Sequence, residues 1–571
     1  MCNLTSIEKA VKSVSLFFEL SSVVQFCSAQ DSSGARKIEQ QIDELFSSYK
    51  DRSKPGMAVS IVKDGSVVYS KGFGSANLEY DVPITSSTVF HVASLSKQFT
   101  VFAILLLEEE GKLSLDDDVR EDVPEVLDFG NVITLRHLAS HSSGLRDQWR
   151  LLEMSGWRLD DVITTKHIMN LVSKQKKLNF EPGDDDVYSN TGFTLLAEVV
   201  ERVSGQSFAD FTMERIFKPL QMTNTQFYDD HQKIVKNRAY SYQASDGHFK
   251  KSVLSFATVG PTSLFTTAED MALWAMKFEA LKVGSRAIIE QMNTQPTFDN
   301  GRQSEFALGQ FRGSYDGIEV FGHSGSDAGY KAYFMRIPEH RLAIAVLANE
   351  ASISPVDAVV NTIDLYLRDH LQQEESKPRV FFQPDPASFI SLSKSALAQF
   401  EGDYWEPVEG YQRKIYVKND TLMYFRSEGN ESKLVPIASN RFKMLDDTED
   451  VTLVFNKGKV GEPQLEFYIN DRPPIIFLAF TEFSLQDYAG NFYSEELSTS
   501  YSFKLKDGKL IAEHSRLTDV TFHRIQKDIF KSDNRNYRGL KFIRDEHGTI
   551  AGLEFSSWGA RNLWFEKRRE E

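Results

Sequence analysis

The feature that most restricts how this chain can fold is a repeat near its C-terminus. Phe400-Glu401-Gly402-Asp403-Tyr404 reappears as Tyr488-Ala489-Gly490-Asn491-Phe492, an offset of 490 − 402 = 88 residues. Leu465-Glu466-Phe467 reappears as Leu553-Glu554-Phe555 at the same offset, 553 − 465 = 88, and Ile476-Phe477 matches Trp564-Phe565. Turn dipeptides fall in register too, Asn419-Asp420 with Asp507-Gly508. Short, aromatic, evenly spaced strands repeated twice call for two all-β units, each long enough for about eight strands closed on themselves. A barrel of that length is tight for enclosing a ligand as well.

At 571 residues the chain exceeds one ordinary core, so several domains are expected. Gln372 to Pro386 is charged and proline-bearing and reads as a linker. The expected division is a signal peptide at 1–29, a first domain at 30–371, a linker at 372–386, and β-barrels at 387–480 and 481–571. Lys9 and Lys12 precede an apolar segment from Val14 to Phe26, and Cys27-Ser28-Ala29 supplies small residues for cleavage. Glu19 within the segment is unusual for a signal, and a short amphipathic helix is the alternative. Both cysteines, Cys2 and Cys27, lie there. Cleavage after Ala29 leaves a mature protein without disulfides, thiolate metal sites or thiol catalysis. No stretch is apolar enough to span a bilayer. The net charge of −16 disfavours nucleic acid and anionic lipid as partners. A periplasmic or secreted protein is therefore expected.

The first domain opens with a hairpin, Met57 to Val62 and Val67 to Ser70 around Lys63-Asp64-Gly65, followed by Ser94-Leu95-Ser96-Lys97 and an apolar run to Leu107. Ser94 and Lys97 are one helical turn apart. An amine held beside a serine hydroxyl in a dry pocket helps remove its proton. The spacing alone says little: Ser6 and Lys9, Ser47 and Lys50, and Ser173 and Lys176 share it, and Ser391-Leu392-Ser393-Lys394 repeats the tetrapeptide letter for letter. Further along come Ile133 to Leu145, Glu181-Pro182-Gly183, Tyr188-Ser189-Asn190, Thr266 to Asp270 with a helix-capping signature, and His323-Ser324-Gly325-Ser326. His137 and His141, four apart, have metal-ligand spacing, but with no carboxylate beside them helix packing and capping are the expected roles.

Taken together, Ser94 with Lys97, Tyr188 with Asn190, and His323 with Gly325 resemble the serine β-lactamase and penicillin-binding protein superfamily, in particular its class C-like branch. The resemblance covers roughly residues 38 to 371. It implies an α/β/α sandwich with an antiparallel sheet beside a helical cluster, with Ser94 as nucleophile and Lys97 coupled to Tyr188 as the proton acceptor. It implies Asn190 as orienter of Lys97 and substrate contact, Gly325 as the point where a strand edge approaches the substrate closely, and the backbone N–H groups of Ser94 and Ser326 as an oxyanion hole. His323 stands where β-lactamases usually have lysine, and His-x-Gly occurs in D-aminopeptidases, D-stereospecific peptidases and carboxylesterases of the superfamily. A catalytic domain followed by two barrels is similar to D-aminopeptidases.

The expected function is an exported serine hydrolase acting through an acyl-enzyme on amide or ester bonds of small D-amino-acid peptides, without metal or organic cofactor. A broad carboxylesterase, a β-lactamase, a penicillin-binding sensor that stays acylated, and a ligand carrier working through its barrels are the alternatives. The barrels are expected to restrict the active-site mouth or to mediate a homodimer.

Overall fold

The structure is a computed structural model that describes residues 36–298, 301–368, 382, 385–408, 410–458, 461, 463–481, 484–532, 534 and 536–568. The expected signal segment with Cys2 and Cys27, and nearly all of the linker, lie outside the described residues. Two compact units emerge, one comprising the chain to Leu115, Leu196–Thr297 and Gln303–Gln372, the other Asp116–Leu195, Phe298–Arg302 and Gln373–Glu571. Segment 116–195, expected within a continuous 30–371 domain, thus groups with the barrels.

The first unit is built on a seven-stranded antiparallel sheet. Its strands are β1 (Met57–Lys63), β2 (Ser66–Phe73), β3 (Phe306–Ala307), β4 (Gln310–Tyr315), β5 (Ile318–Asp327), β6 (Tyr330–Ile337) and β7 (Leu342–Ala348), in the order β3-β4-β5-β6-β7-β1-β2. Leu342-Ala343-Ile344-Ala345-Val346-Leu347-Ala348 is buried along its whole length, because this central strand is covered on both faces. On one side α1 (36–45) and α8 (Pro355–Leu367) pack through Ile42, Phe46, Val359 and Ile363 on Val59, Ile61, Ile344 and Val346. α6 (Ala268–Ala280) also packs on β1 and β7. Its N-cap is Thr267, which accepts from the Asp270 N–H as the capping signature predicts.

α2 (Ser96–Glu109) follows a single 3-10 turn, Ala93–Leu95, and is buried from Ser96 to Leu107. Apolar residues all round make it the central helix of its unit rather than an amphipathic surface one. α7 (Arg286–Met292) packs on it.

In the second unit the helical segment carries α3 (Leu135–Ala139) and α4 (Gln148–Met154), with α5 (Asn190–Ser204) beginning at its end. Two closed eight-stranded barrels follow, as the repeat predicts. The 88-residue offset reaches their closure: Tyr404 pairs with Ala479 in the first and Phe492 with Lys567 in the second, with 492 − 404 = 567 − 479 = 88. Asn419-Asp420 and Asp507-Gly508 form two-residue hairpin turns with φ of 50° and 55°, and 52° and 71°. Positive φ at both positions gives the turn a twist that matches the strands, which explains those residue types. Phe442, Phe455, Phe467 and Phe477 fill the first interior, and Phe492, Phe503, Phe522, Phe542 and Phe555 pack edge-to-face in the second. Interiors filled in this way argue against the ligand-carrier reading.

Candidate active site

In the first unit the chain turns sharply just before Ser94. Ala93 has φ of 49°, in the left-handed region that L-residues rarely adopt. The Ser96 hydroxyl, buried, donates to the Ala93 carbonyl at 2.5 Å and accepts from the Leu264 N–H at 3.3 Å. The second serine of Ser-Leu-Ser-Lys thus fixes the turn, while the first, partly exposed, is presented by it. Strain held this way beside a partly exposed hydroxyl is of the kind that clusters at active sites.

Lys97, with no exposed surface, donates from Nζ to Ser94 Oγ at 3.0 Å and to the Pro261 carbonyl at 2.9 Å. The Gly260-Pro261 segment is itself held by Thr100, whose Oγ1 donates to the Gly260 carbonyl at 2.7 Å. The Pro261 carbonyl is a ligand of the lysine that sequence reading missed; no pattern marks a loop carbonyl.

β5 passes the same turn. A Cβ on Gly325 would lie 2.1 Å from the Val92 carbonyl oxygen and 3.3 Å from the Ala93 side chain. Gly325 is therefore needed for contact with the serine turn, besides any approach to substrate. His323, two residues earlier and 1% exposed, packs 4.9 Å from the Phe311 ring, and its Nδ1 lies 2.5 Å from the Ser324 carbonyl. Burial, reinforced by the Lys97 charge, lowers its pKa to about 3, so the ring is neutral at pH 7. Ser326 is exposed, and its hydroxyl accepts from Lys331 at 2.7 Å.

Asp327, at the end of β5, escaped the sequence reading. Its carboxylate accepts from Thr262 Oγ1 and lies 3.9 Å from His91 Nε2. Burial raises its pKa to about 6, against the lowering effects of Thr262, Lys97 and Lys331. A carboxyl whose folded pKa is raised contributes stability fully present below its unfolded value and lost as pH climbs through the folded one. Asp327→Asn is therefore expected to melt higher than the parent at pH 8, with the two converging below about pH 4. Equal melting temperatures at pH 8 would refute this.

The second unit holds Tyr188 and Asn190. The His141 ring stacks on Tyr188 at 4.3 Å, and His141 Nδ1 accepts from the Ser189 N–H at 3.0 Å. His137 Nδ1 accepts from the Thr134 N–H at 3.3 Å while the Thr134 hydroxyl caps α3, so both histidines have the packing and capping roles expected of them. Asn190 donates from its backbone N–H and from Nδ2 to Asp147 Oδ2, at 2.8 and 2.7 Å. Asp147 is a further residue missed from sequence, although Asp-Gln-Trp-Arg is a legible helix start. Its other oxygen caps α4 through Trp149 and Arg150.

The second barrel is bound to this cluster. The Asp147 N–H donates to the Gly559 carbonyl at 2.7 Å, as does Asn179 Nδ2 at 3.0 Å. Gly559 has φ of 79°, and a Cβ there would meet Asp147 at 3.1 Å. Arg146, 1% exposed, pairs with Glu496 at 2.6 Å and donates to the Arg561 and Asn562 carbonyls. The turn between strands Ile550–Ser557 and Ala560–Arg568 thus supports the residue that holds Asn190.

A serine at the head of a buried helix, hydrogen-bonded to a lysine one turn on and backed by a glycine-bearing strand of an antiparallel sheet, defines a Ser-x-x-Lys serine hydrolase. The Beta-lactamase family model matches residues 35–366, and the chain belongs to that family. A D-aminopeptidase of Cereibacter sphaeroides is 29% identical over 527 residues, 89% of this chain and 95% of that enzyme. A D-aminopeptidase of Gluconobacter oxydans is 27% identical over 303 residues, 53% of this chain and 57% of that enzyme. Among solved structures, the octameric penicillin-binding protein homologue from Pyrococcus abyssi is 26% identical with a TM-score of 0.52, covering 77% of this chain and 99% of that one. Among the described residues no helix is long and apolar enough to cross a membrane, and no group of three or more potential ligands forms a metal site.

Proposed function

We propose that the protein hydrolyses amide bonds of small D-amino-acid peptides through an acyl-enzyme on Ser94. The observation that carries this reading is the buried Lys97 Nζ, 3.0 Å from Ser94 Oγ and anchored on the Pro261 carbonyl. A nucleophile and a proton-accepting partner already within hydrogen-bond reach are the first requirement of acyl transfer. Likeness to D-aminopeptidases through both barrels, over 89% of the chain, supports the D-peptide substrate class.

In the proposed cycle Ser94 attacks the carbonyl carbon and its proton passes to the coupled Lys97 and Tyr188 pair. The tetrahedral oxyanion rests on the backbone N–H groups of Ser94 and Ser326. The leaving amine takes the proton back through Tyr188, and water repeats the sequence to release the acid. Asn190, aimed by Asp147, contacts the substrate amide. His323, neutral at pH 7, contributes a neutral polar group where a lysine would place a fixed charge. Export ahead of cleavage near Ala29, and self-association through the barrels, belong to the same proposal.

A panel of D- and L-aminoacyl amides and p-nitrophenyl esters tests the assignment. Faster turnover of D-amides than of their L-enantiomers is expected. Equal rates for both enantiomers, with esters far ahead of amides, would replace it with a broad carboxylesterase.

A further inference from the structure

Away from Ser94, the first unit buries two basic side chains with no counter-ion. Arg336, on β6, is 5% exposed. Its guanidinium carbon lies 3.6 Å from the ring centre of Phe278 and 5.4 Å from that of Phe321. Nη2 donates to two neutral acceptors, Asn293 Oδ1 and Gln310 Oε1, both at 3.2 Å, and Nε has no hydrogen-bond partner. Lys277, on α6 and 1% exposed, also has no partner for Nζ, which lies 3.7 Å from the Phe102 ring centre and 4.3 Å from that of Phe278. Among the described residues neither side chain has a carboxylate in ion-pair contact, and burial beside Arg336 pushes the Lys277 amine well below its usual pKa, so the lasting charge is that of Arg336. A buried charge without a counter-charge weakens a fold, because desolvation is not offset by attraction.

Arg336 is not sealed in. It lines a cavity of about 290 Å³ between α6, α7 and the end of the sheet at the turn from β6 to β7. Such a volume is at the small end of the range for ligand pockets. Phe278, Ile289 and Leu342 supply an apolar wall, and Arg286 and Arg341 also line the space. Arg341 is already paired, with Glu279 at 2.7 Å and Asp64 at 3.3 Å, so the uncompensated charge centres on Arg336 and Arg286. A guanidinium at the base of an apolar cleft recognises a planar carboxylate, and the wall accepts a hydrocarbon chain.

We infer that this cavity binds a short-chain carboxylate amphiphile, its anionic head on Arg336 and its tail along Phe278 and Ile289. Ser94 does not line the cavity, so occupancy here is separable from the chemistry proposed above.

The test is calorimetric titration and thermal shift with sodium octanoate, at fixed ionic strength, on full-length protein carrying Ser94→Ala or with Ser94 blocked by a fluorophosphonate. Octan-1-ol serves as the uncharged control and inorganic phosphate as the tail-less one. Saturable binding of octanoate, tighter than either control by about tenfold or more, is expected. Asn293→Asp places a carboxylate within reach of Arg336 Nη2. It is expected to raise the melting temperature without ligand and to weaken octanoate about tenfold or more. Ile289→Trp fills the tail channel, leaves Arg336 in place, and should weaken octanoate equally. The inference is overturned by octanol or phosphate matching octanoate, by no binding at all, or by undiminished affinity in both variants.

Discussion

Ser94→Ala is expected to abolish labelling by a fluorophosphonate and to lower amide hydrolysis by about 10⁴-fold or more, leaving the fold intact. The physical basis is local. Ser94 Oγ accepts from Lys97 Nζ, while the turn that presents it is held by the neighbouring Ser96. Removing one hydroxyl deletes the proposed nucleophile without touching the Ala93 turn or the Lys97 contact with Pro261. The decisive control is Ser96→Ala, which leaves Ser94 in place and removes the support of the Ala93 carbonyl. It should keep the adduct at reduced rate and lose stability by about 1–3 kcal/mol, since a buried carbonyl loses its donor. An adduct that persists in Ser94→Ala, or disappears equally in both variants, would place the chemistry elsewhere.

The second large effect is expected at the joint between the helical segment and the second barrel. Glu496→Gln leaves the Arg146 charge buried beside two backbone carbonyls with no counter-charge. Breaking a buried pair from one side typically costs about 3–5 kcal/mol. Hydrogen exchange is the suitable measurement, because a protein with several cores has no single unfolding transition. Protection should fall in the Arg561–Asn562 segment and around Asp147, while the first barrel keeps its own. Replacing both partners, Arg146→Met with Glu496→Leu, should restore much of the loss, since no charge is then left buried. If Glu496→Gln exchanges like the parent, the pair is not holding the joint. Because Asp147 accepts from both nitrogens of Asn190, the same variant is expected to lower kcat more than it raises KM.

These two sites were legible in the sequence to different degrees. Ser94 and Lys97 were singled out because Ser-x-x-Lys on an apolar helix comes with the Tyr188, Asn190 and His323 motifs, and the barrels because their repeat keeps closing strands and hairpin turns at one offset. Asp147, Arg146 and the Pro261 carbonyl were not found. Their partners lie hundreds of residues away, as in Arg146 with Glu496, or are backbone atoms that every residue carries. Gly325 was chosen for close approach to the substrate, whereas the neighbour that the structure shows to require a glycine there is the Val92 carbonyl.

Sequence by itself determined periodicity: which stretches are strands, where hairpins turn, which helix is apolar on every side, and that the tail is one module used twice. Ser391-Leu392-Ser393-Lys394 marks what the tetrapeptide by itself left undecided. There Ser393 caps the five-residue helix Lys394–Ala398, and Lys394 is 75% exposed, 3.7 Å from Asp420. The same four letters at 94–97 give a lysine with no exposed surface bonded to a serine hydroxyl. An amine activates a neighbouring hydroxyl when water is excluded and the pair is held at contact distance, and water is excluded by whatever packs around it. At Lys97 those neighbours come from the Gly260-Pro261 loop and β5: the accompanying motifs singled out this copy in the sequence, and the tertiary structure supplied the physical difference, burial and a bonded hydroxyl here against exposure there.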